Sequence, residues 1–269
     1  MPTIRELSHA GVPTDADSPS SPRVAALRGG AWSTQRVAKI AGAVYLIQYA
    51  TSFYGIFVRS SLVVSGDAAR TARNILEHGQ MFRGGIVCDL FTGACVVILN
   101  LALYELLAPV HRSLARLAAT WRIVEVSVSG AIAVCSFSVL TLLGSADYQK
   151  AFEPQQIDAL VRLFAGAHSS GYMIALLFFG LGSTTYMSLL VRSRYVPTAL
   201  AVLGAAGSAL VVVFALVSLL FPATVAAIPA VVRTLPAIAQ ALLGLIVAPV
   251  VAFEFLLGIW LLVKGVREA

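Results

Sequence analysis

FRGGIVCDLFTGACVVILNLALYELLAPVHRSLARLAATWRIVEVSVSGAIAVCSFSVLTLL, residues 82–143, decides the fold. Two long apolar runs flank the short turn Pro109-Val110-His111-Arg112-Ser113. Each run is long enough for a bilayer, which takes about 20 apolar residues. Each also carries charge where charge is expensive: Asp89 and Glu105 in the first, Arg122 and Glu125 in the second. An ionisable side chain inside a membrane span marks a functional site by default. The stretch therefore predicts a helical hairpin in lipid with a polar interior.

The rest of the chain has the same character. Of its 269 residues, 58% are hydrophobic and only 12% charged, and the mean hydropathy is +0.86. Soluble domains carry about 25% charged residues, so a soluble enzyme is excluded. The formal charge of +6 is spread between apolar runs, as loop anchors on a membrane protein are. The expected partner is the lipid bilayer, and no nucleic acid is expected. Cys88, Cys95 and Cys135 all fall inside apolar runs without a metal-ligand spacing such as CxxC. They read as small buried residues, and neither a metal nor a cofactor is expected.

Working outward, apolar runs over about 38–58, 82–108, 114–143, 167–191, 198–221 and 237–263 predict an all-α, polytopic transmembrane helical bundle of about six spans. Residues 1–35, rich in Ser, Pro, Gly, Ala and Arg and without an apolar signal region, read as a disordered cytoplasmic tail. Residues 36–269 read as a single transmembrane domain. In the first loop Gly66-Asp67 opens a helix with Asp67 as N-cap, and Gly79 stops it. In the third loop Glu153-Pro154 opens another, since proline fits the first helical turn. Both predict short interfacial helices. Pro109 should end the second span, and Pro249 should kink the sixth one turn before Glu254.

Polar residues recur at helical spacing. Span one aligns Tyr45, Gln48, Tyr49, Ser52 and Arg59; span two Gly85, Asp89, Gly93, Val96 and Asn100; span three Arg122, Glu125, Ser129 and Ser136. Arg122 and Glu125 are close enough along the helix to pair. Span four aligns His168, Tyr172, Ala175, Phe179, Gly182 and Tyr186, and span six stacks Gln240, Val247, Glu254 and Leu261. Span five has no ionisable residue and reads as scaffold.

Six spans put both termini on one side. Eleven Lys and Arg fall on that side against seven on the other, which makes the termini cytoplasmic in a cell (inner) membrane. Depth, at about 1.5 Å per residue, then sorts the polar residues into two layers with a largely apolar middle. The outer layer is Arg59, Arg83, Asp89, His168 and Tyr172. The inner layer is Arg122, Glu125 and Glu254.

Particular segments also resemble a known family. They are Phe57-Val58-Arg59-Ser60, Phe82-Arg83 followed by Asp89-Leu90, Leu103-Tyr104, Leu106-Leu107-Ala108-Pro109-Val110 and Trp121-Arg122-Ile123-Val124-Glu125. His168, Gly171-Tyr172, Phe178-Phe179-Gly180-Leu181, Tyr195-Val196-Pro197 and the segment from Trp260 to Val266 follow in order. In sequence and spacing they resemble a bacterial membrane family known as domain of unknown function 4386, over about residues 36–267. Met187-Ser188 stand where that family tends to have Gly-Tyr, and Arg194 where glycine is usual. The resemblance implies a multi-span helical membrane protein and no assigned activity.

Three functions fit these residues. The first is a structural or regulatory membrane partner whose intramembrane charges lock helices together; which proteins it would partner, the sequence leaves open. The second is a small-solute or ion permease or its accessory subunit, for which the apolar middle is a weakness. The third is an intramembrane enzyme acting on an anionic, lipid-like substrate near Asp89 and His168. No GxSxG, HExxH or phosphate-loop motif is present, and no catalytic residue is assigned.

Overall fold

A computed structural model describes residues 33–64, 66–223 and 252–267. Among them the chain forms helices and no strand: α1 (Thr34–Leu62), α2 (Ala68–Glu77), α3 (Gly79–Gly144), α4 (Ala146–Ala151), α5 (Pro154–Ser193), α6 (Thr198–Leu220) and α7 (Ala252–Val263). Helices α1, α3, α5 and α6 are long and apolar enough to cross a membrane. They turn large apolar side chains outward, among them Leu101, Val134, Val213 and Leu220. Water would not tolerate that surface, whereas hydrocarbon is its natural solvent. The chain is an integral membrane protein folded as a helical bundle.

The 66 residues of α3 are two arms, broken at His111, whose backbone is extended (φ −162°, ψ 94°). Pro109 lies inside the last turn of the first arm instead of ending it. Proline removes one N–H donor but holds φ near the helical value, so the chain leaves the helix two residues later. The Leu114 N–H then donates to His111 Nδ1 (3.3 Å) and starts the second arm. Asn100 Nδ2 donates to the Ala119 carbonyl (3.2 Å), and Gly93 faces Val126. One number falls as the other rises, so the arms are antiparallel.

The same relation holds around the bundle. Helix α1 meets the first arm at Thr51 with Thr92 and at Val58 with Gly85. The second arm meets α5 at Arg122 with Gly182 and at Ile132 with Gly171. Helix α5 meets α6 at Gly180 with Val212 and at Met187 with Gly204. Helix α7 returns along α1, pairing Tyr49 with Glu254 and Gly42 with Gly258. A Cβ on Gly42 would stand 2.6 Å from the Gly258 carbonyl oxygen, so glycine lets these two backbones touch. At the end of this pair the Gln35 side chain acts as a peptide group. Its Nε2 donates to the Val266 carbonyl (2.6 Å) and its Oε1 accepts from the Val266 N–H (3.1 Å).

The loops differ from expectation at one place. Helix α2 forms as its sequence predicts, with Asp67 accepting from the Arg70 N–H (2.9 Å) and Ala68, Ala72 and Ile75 buried. In the third loop the only separate helix is α4, six residues long. The helix opened by Glu153-Pro154 does not stop at the surface but continues as α5 for 40 residues, about 60 Å. A capping box between Glu153 and Gln156 starts it. No proline interrupts it before Pro197, so the polar first turns and the apolar span form one rod. Residues 1–32 and 224–251, including Gln240, Val247 and the expected kink at Pro249, lie outside the described residues.

The buried apolar residues form two clusters. One joins Tyr45, Leu99, Leu106, Met187, Phe253 and Leu257 toward the His111 end. The other joins Val58, Ile75, Phe82, Val139 and Val161 beneath α2. Between them the helices present small and polar residues.

Arg194 caps α5 in the left-handed region (φ 56°), a backbone conformation that favours glycine. A side chain there costs about 1–2 kcal/mol. Arg194→Gly should therefore raise stability by about 1 kcal/mol, after the added freedom of the unfolded chain is deducted. The check is the unfolding midpoint in detergent, and an unchanged or lower midpoint contradicts the account.

Candidate functional site

Helix α1 carries the site's first wall. Gln48, Ser52, Gly55 and Arg59 follow one another at helical spacing, with Tyr49 beside them. Gly55 makes room for a carboxylate, because a Cβ there would collide with Asp89 Oδ1. The Arg59 guanidinium grips Asp89 with both terminal nitrogens, Nη1 on Oδ2 and Nη2 on Oδ1 at 3.2 Å. This fork-on-fork geometry is the strong form of an arginine–carboxylate pair, and it ties α1 to the first arm of α3. His168 and Tyr172 bring α5 to the same cavity wall as Arg59 and Asp89.

Arg83, grouped with these residues from its depth, stands apart. It is exposed and lines neither of the two cavities next to Arg59. Depth puts it near Asp89, but six residues turn an α-helix by about 240°, so the two occupy different faces.

At the other end of the cavity the second arm of α3 supplies Arg122 and Glu125. Arg122 is buried, with Nη1 2.6 Å from Glu125 Oε2. The contact is an ion pair without hydrogen-bond alignment. The guanidinium stacks over the Phe179 ring, 4.8 Å from its centroid, and its stem lies against Gly182, where a Cβ would stand 2.9 Å away. Helix α7 adds Glu254, which is 6% exposed. The Tyr49 hydroxyl donates to Glu254 Oε2 (2.9 Å). Among the described residues, Glu254 Oε1 and Gln48 Oε1 are buried without a hydrogen-bond partner.

One cavity of about 330 Å³ is lined from both ends, by Arg59, Asp89, His168 and Tyr172 and by Gln48, Tyr49, Glu125 and Glu254. Tyr49 and Arg59 are ten residues apart on α1, so the ends lie about 15 Å from each other. The wall between the ends is largely apolar, with a few small polar side chains in it. Ser52, Thr92 and Ser129 line the stretch between, beside Val126 and Ile132. Small side chains on three facing helices leave space that leucines would have filled. A second, largely apolar cavity of about 460 Å³ adjoins at Ile56, Arg59, His168 and Tyr172, with Ile75, Phe82 and Phe164 in its wall.

Gln48, Tyr49, Ser52 and Ser129 were visible in the sequence as stripe residues, and the shared cavity makes them part of the site. Thr92 and Gly55 gave a weaker signal: Gly55 lies one turn before Arg59 on the polar stripe.

Since Arg122 is buried against Glu125, Arg122→Ala should destabilise the protein by about 3–5 kcal/mol, the cost of leaving one buried charge unmatched. The double change Arg122→Ala with Glu125→Ala should cost less than the single one. Reversible denaturation in bicelles measures both, and equal losses would contradict the pairing.

No curated protein and no solved structure matches the chain. One family model matches it, over residues 40–265, from the first turns of α1 to the residues just beyond α7. That range contains every residue of the cavity described above. The chain belongs to the family described as domain of unknown function (DUF4386).

Proposed function

We propose that the protein is a permease-type membrane protein that holds a small solute in the cavity between Asp89 and Glu254. The observation that carries this is the single cavity lined by both polar ends. Its volume falls within the range of small-molecule sites, about 300–1,000 Å³, and its lining mixes apolar walls with a few convergent polar groups. A structural partner with locked charges accounts for Arg59–Asp89, which joins two helices. It does not account for the ion pair Arg122–Glu125, formed within one helix, nor for buried acceptors without a partner on residues that line the cavity.

The reading takes the bundle as six spans in the cell membrane with both termini cytoplasmic. Alternating helix directions and the Gln35–Val266 clamp support an even number of spans with both ends on one side, and the excess of Lys and Arg on that side supports the cytoplasmic face. A reporter that works only in the cytoplasm should be active when fused at the C-terminus. Activity of a periplasmic reporter there would reverse the orientation.

A second reading is favoured by the apolar cavity beside Arg59 and His168, which offers an acyl chain a place next to a cation. On that reading the protein is an enzyme or binder of an anionic lipid. Arg59 is already committed to Asp89, so the permease reading stands first.

Ser129 lies in the wall between the two ends and tests that reading. Ser129→Cys, in a chain with Cys88, Cys95 and Cys135 replaced, should react with a membrane-impermeant thiol reagent applied from either face of the membrane. Reaction from neither face, or from one face only, would overturn permeation.

A further inference from the structure

The charges around the cavity do not balance. Arg59 is matched by Asp89 and Arg122 by Glu125, which among the described residues leaves the Glu254 carboxylate without a cation of its own. Its hydrogen-bond donor among the described residues is the neutral Tyr49 hydroxyl, on Oε2. The hydrogen-bond inventory is skewed in the same direction. Two oxygens of cavity-lining residues, Glu254 Oε1 and Gln48 Oε1, are buried acceptors without a hydrogen-bond partner among the described residues. Glu254 and Gln48 are each more than nine-tenths buried, so bulk water does not serve them. An orphaned buried acceptor is costly, and two on residues that line one cavity describe what is missing from it.

We propose that the Glu254 end of the cavity binds a small organic cation, an amine or quaternary ammonium, with its charge against Glu254 and its body against Tyr49 and Phe53. This inference rests on the reading of the cavity as a ligand's place and names the ligand's class. A monocation cancels the odd charge. An amine also supplies N–H donors to the orphaned oxygens, since an ammonium has donors and no acceptor. The Tyr49 and Phe53 rings, 5.6 Å apart and tilted by 38°, both line the cavity and offer π faces to a desolvated cation.

Other occupants fit less well. An anion would meet two carboxylates, and the guanidinium able to receive it is held by Asp89. A metal ion asks for a closed set of ligands, and among the described residues no three His, Cys, Asp or Glu are placed to form one. A proton on Glu254 would neutralise it but would leave the cavity empty and could serve only one of the two acceptors.

The test uses the full chain in lipid nanodiscs, titrated with the chlorides of methylammonium, n-butylammonium and tetramethylammonium. Sodium chloride, tert-butanol and sodium acetate serve as controls. At least one organic ammonium should raise the unfolding midpoint saturably, and the three controls should not. Glu254→Gln, which keeps shape and removes a buried charge, should weaken that binding at least tenfold. Gln48→Leu should weaken it several-fold and decides the matter should Glu254→Gln not fold. No saturable effect beyond sodium chloride, stabilisation by acetate, or undiminished binding by the variants would each overturn the proposal. The two readings fail separately. Ammonium binding with Ser129→Cys labelled from one face alone keeps the cation site and removes permeation. Labelling from both faces without ammonium binding does the reverse.

Discussion

A carboxylate surrounded by hydrocarbon must find a cation, a proton or donors, and the bundle is arranged around how its carboxylates do so. Asp89 finds Arg59 across a helix interface opened by Gly55. Glu125 finds Arg122 three residues back on its own helix, and that guanidinium is braced by the Phe179 ring. Glu254 finds the Tyr49 hydroxyl and, among the described residues, no basic partner of its own. The first two solutions hold the protein together or hold a charge in place. The third leaves work for a ligand.

Packing follows from the same constraint. Lipid gives helices no hydrophobic reason to associate, so close contact depends on small residues and on interhelical hydrogen bonds. The contact of Gly42 with Gly258 brings α7, and with it Glu254, against Tyr49 on α1. The Tyr186 hydroxyl donates to Asn100 Oδ1 (2.7 Å), and Asn100 in turn donates to the Ala119 carbonyl. That chain ties α5 to both arms of α3 on the His111 side of the cavity. With an apolar cluster at each end and serine and threonine between, the bundle is tight at its extremities and open in the middle.

Much of this was legible in the residues. Length and hydropathy mark the helices, Asp67 marks the start of α2, and the spacing of Arg122 and Glu125 marks their pair. Helix boundaries were harder, because they depend on competition between local signals. Pro109 lowers helix stability without forbidding the turn, so the break moved to His111. Glu153-Pro154 starts a helix but says nothing about where it ends. Depth along a helix is blind to azimuth. Depth therefore puts Arg83 level with Asp89 although the two occupy different faces, and it separates two polar layers that line one cavity. Whether facing small residues close a gap or leave one depends on three helices at once, which no single stripe reveals.

The central claim is that the space between Gln48 and Glu254 is kept open for a cation. A high-resolution electron cryomicroscopy map of the full chain in nanodiscs, prepared with the tightest-binding ammonium salt, tests it most directly. The account predicts density within hydrogen-bonding or ion-pair distance of Glu254 Oε1 and near Gln48 Oε1, absent from a map prepared in sodium chloride. A map in which protein side chains fill that space and Glu254 Oε1 is bonded to a protein donor would contradict it.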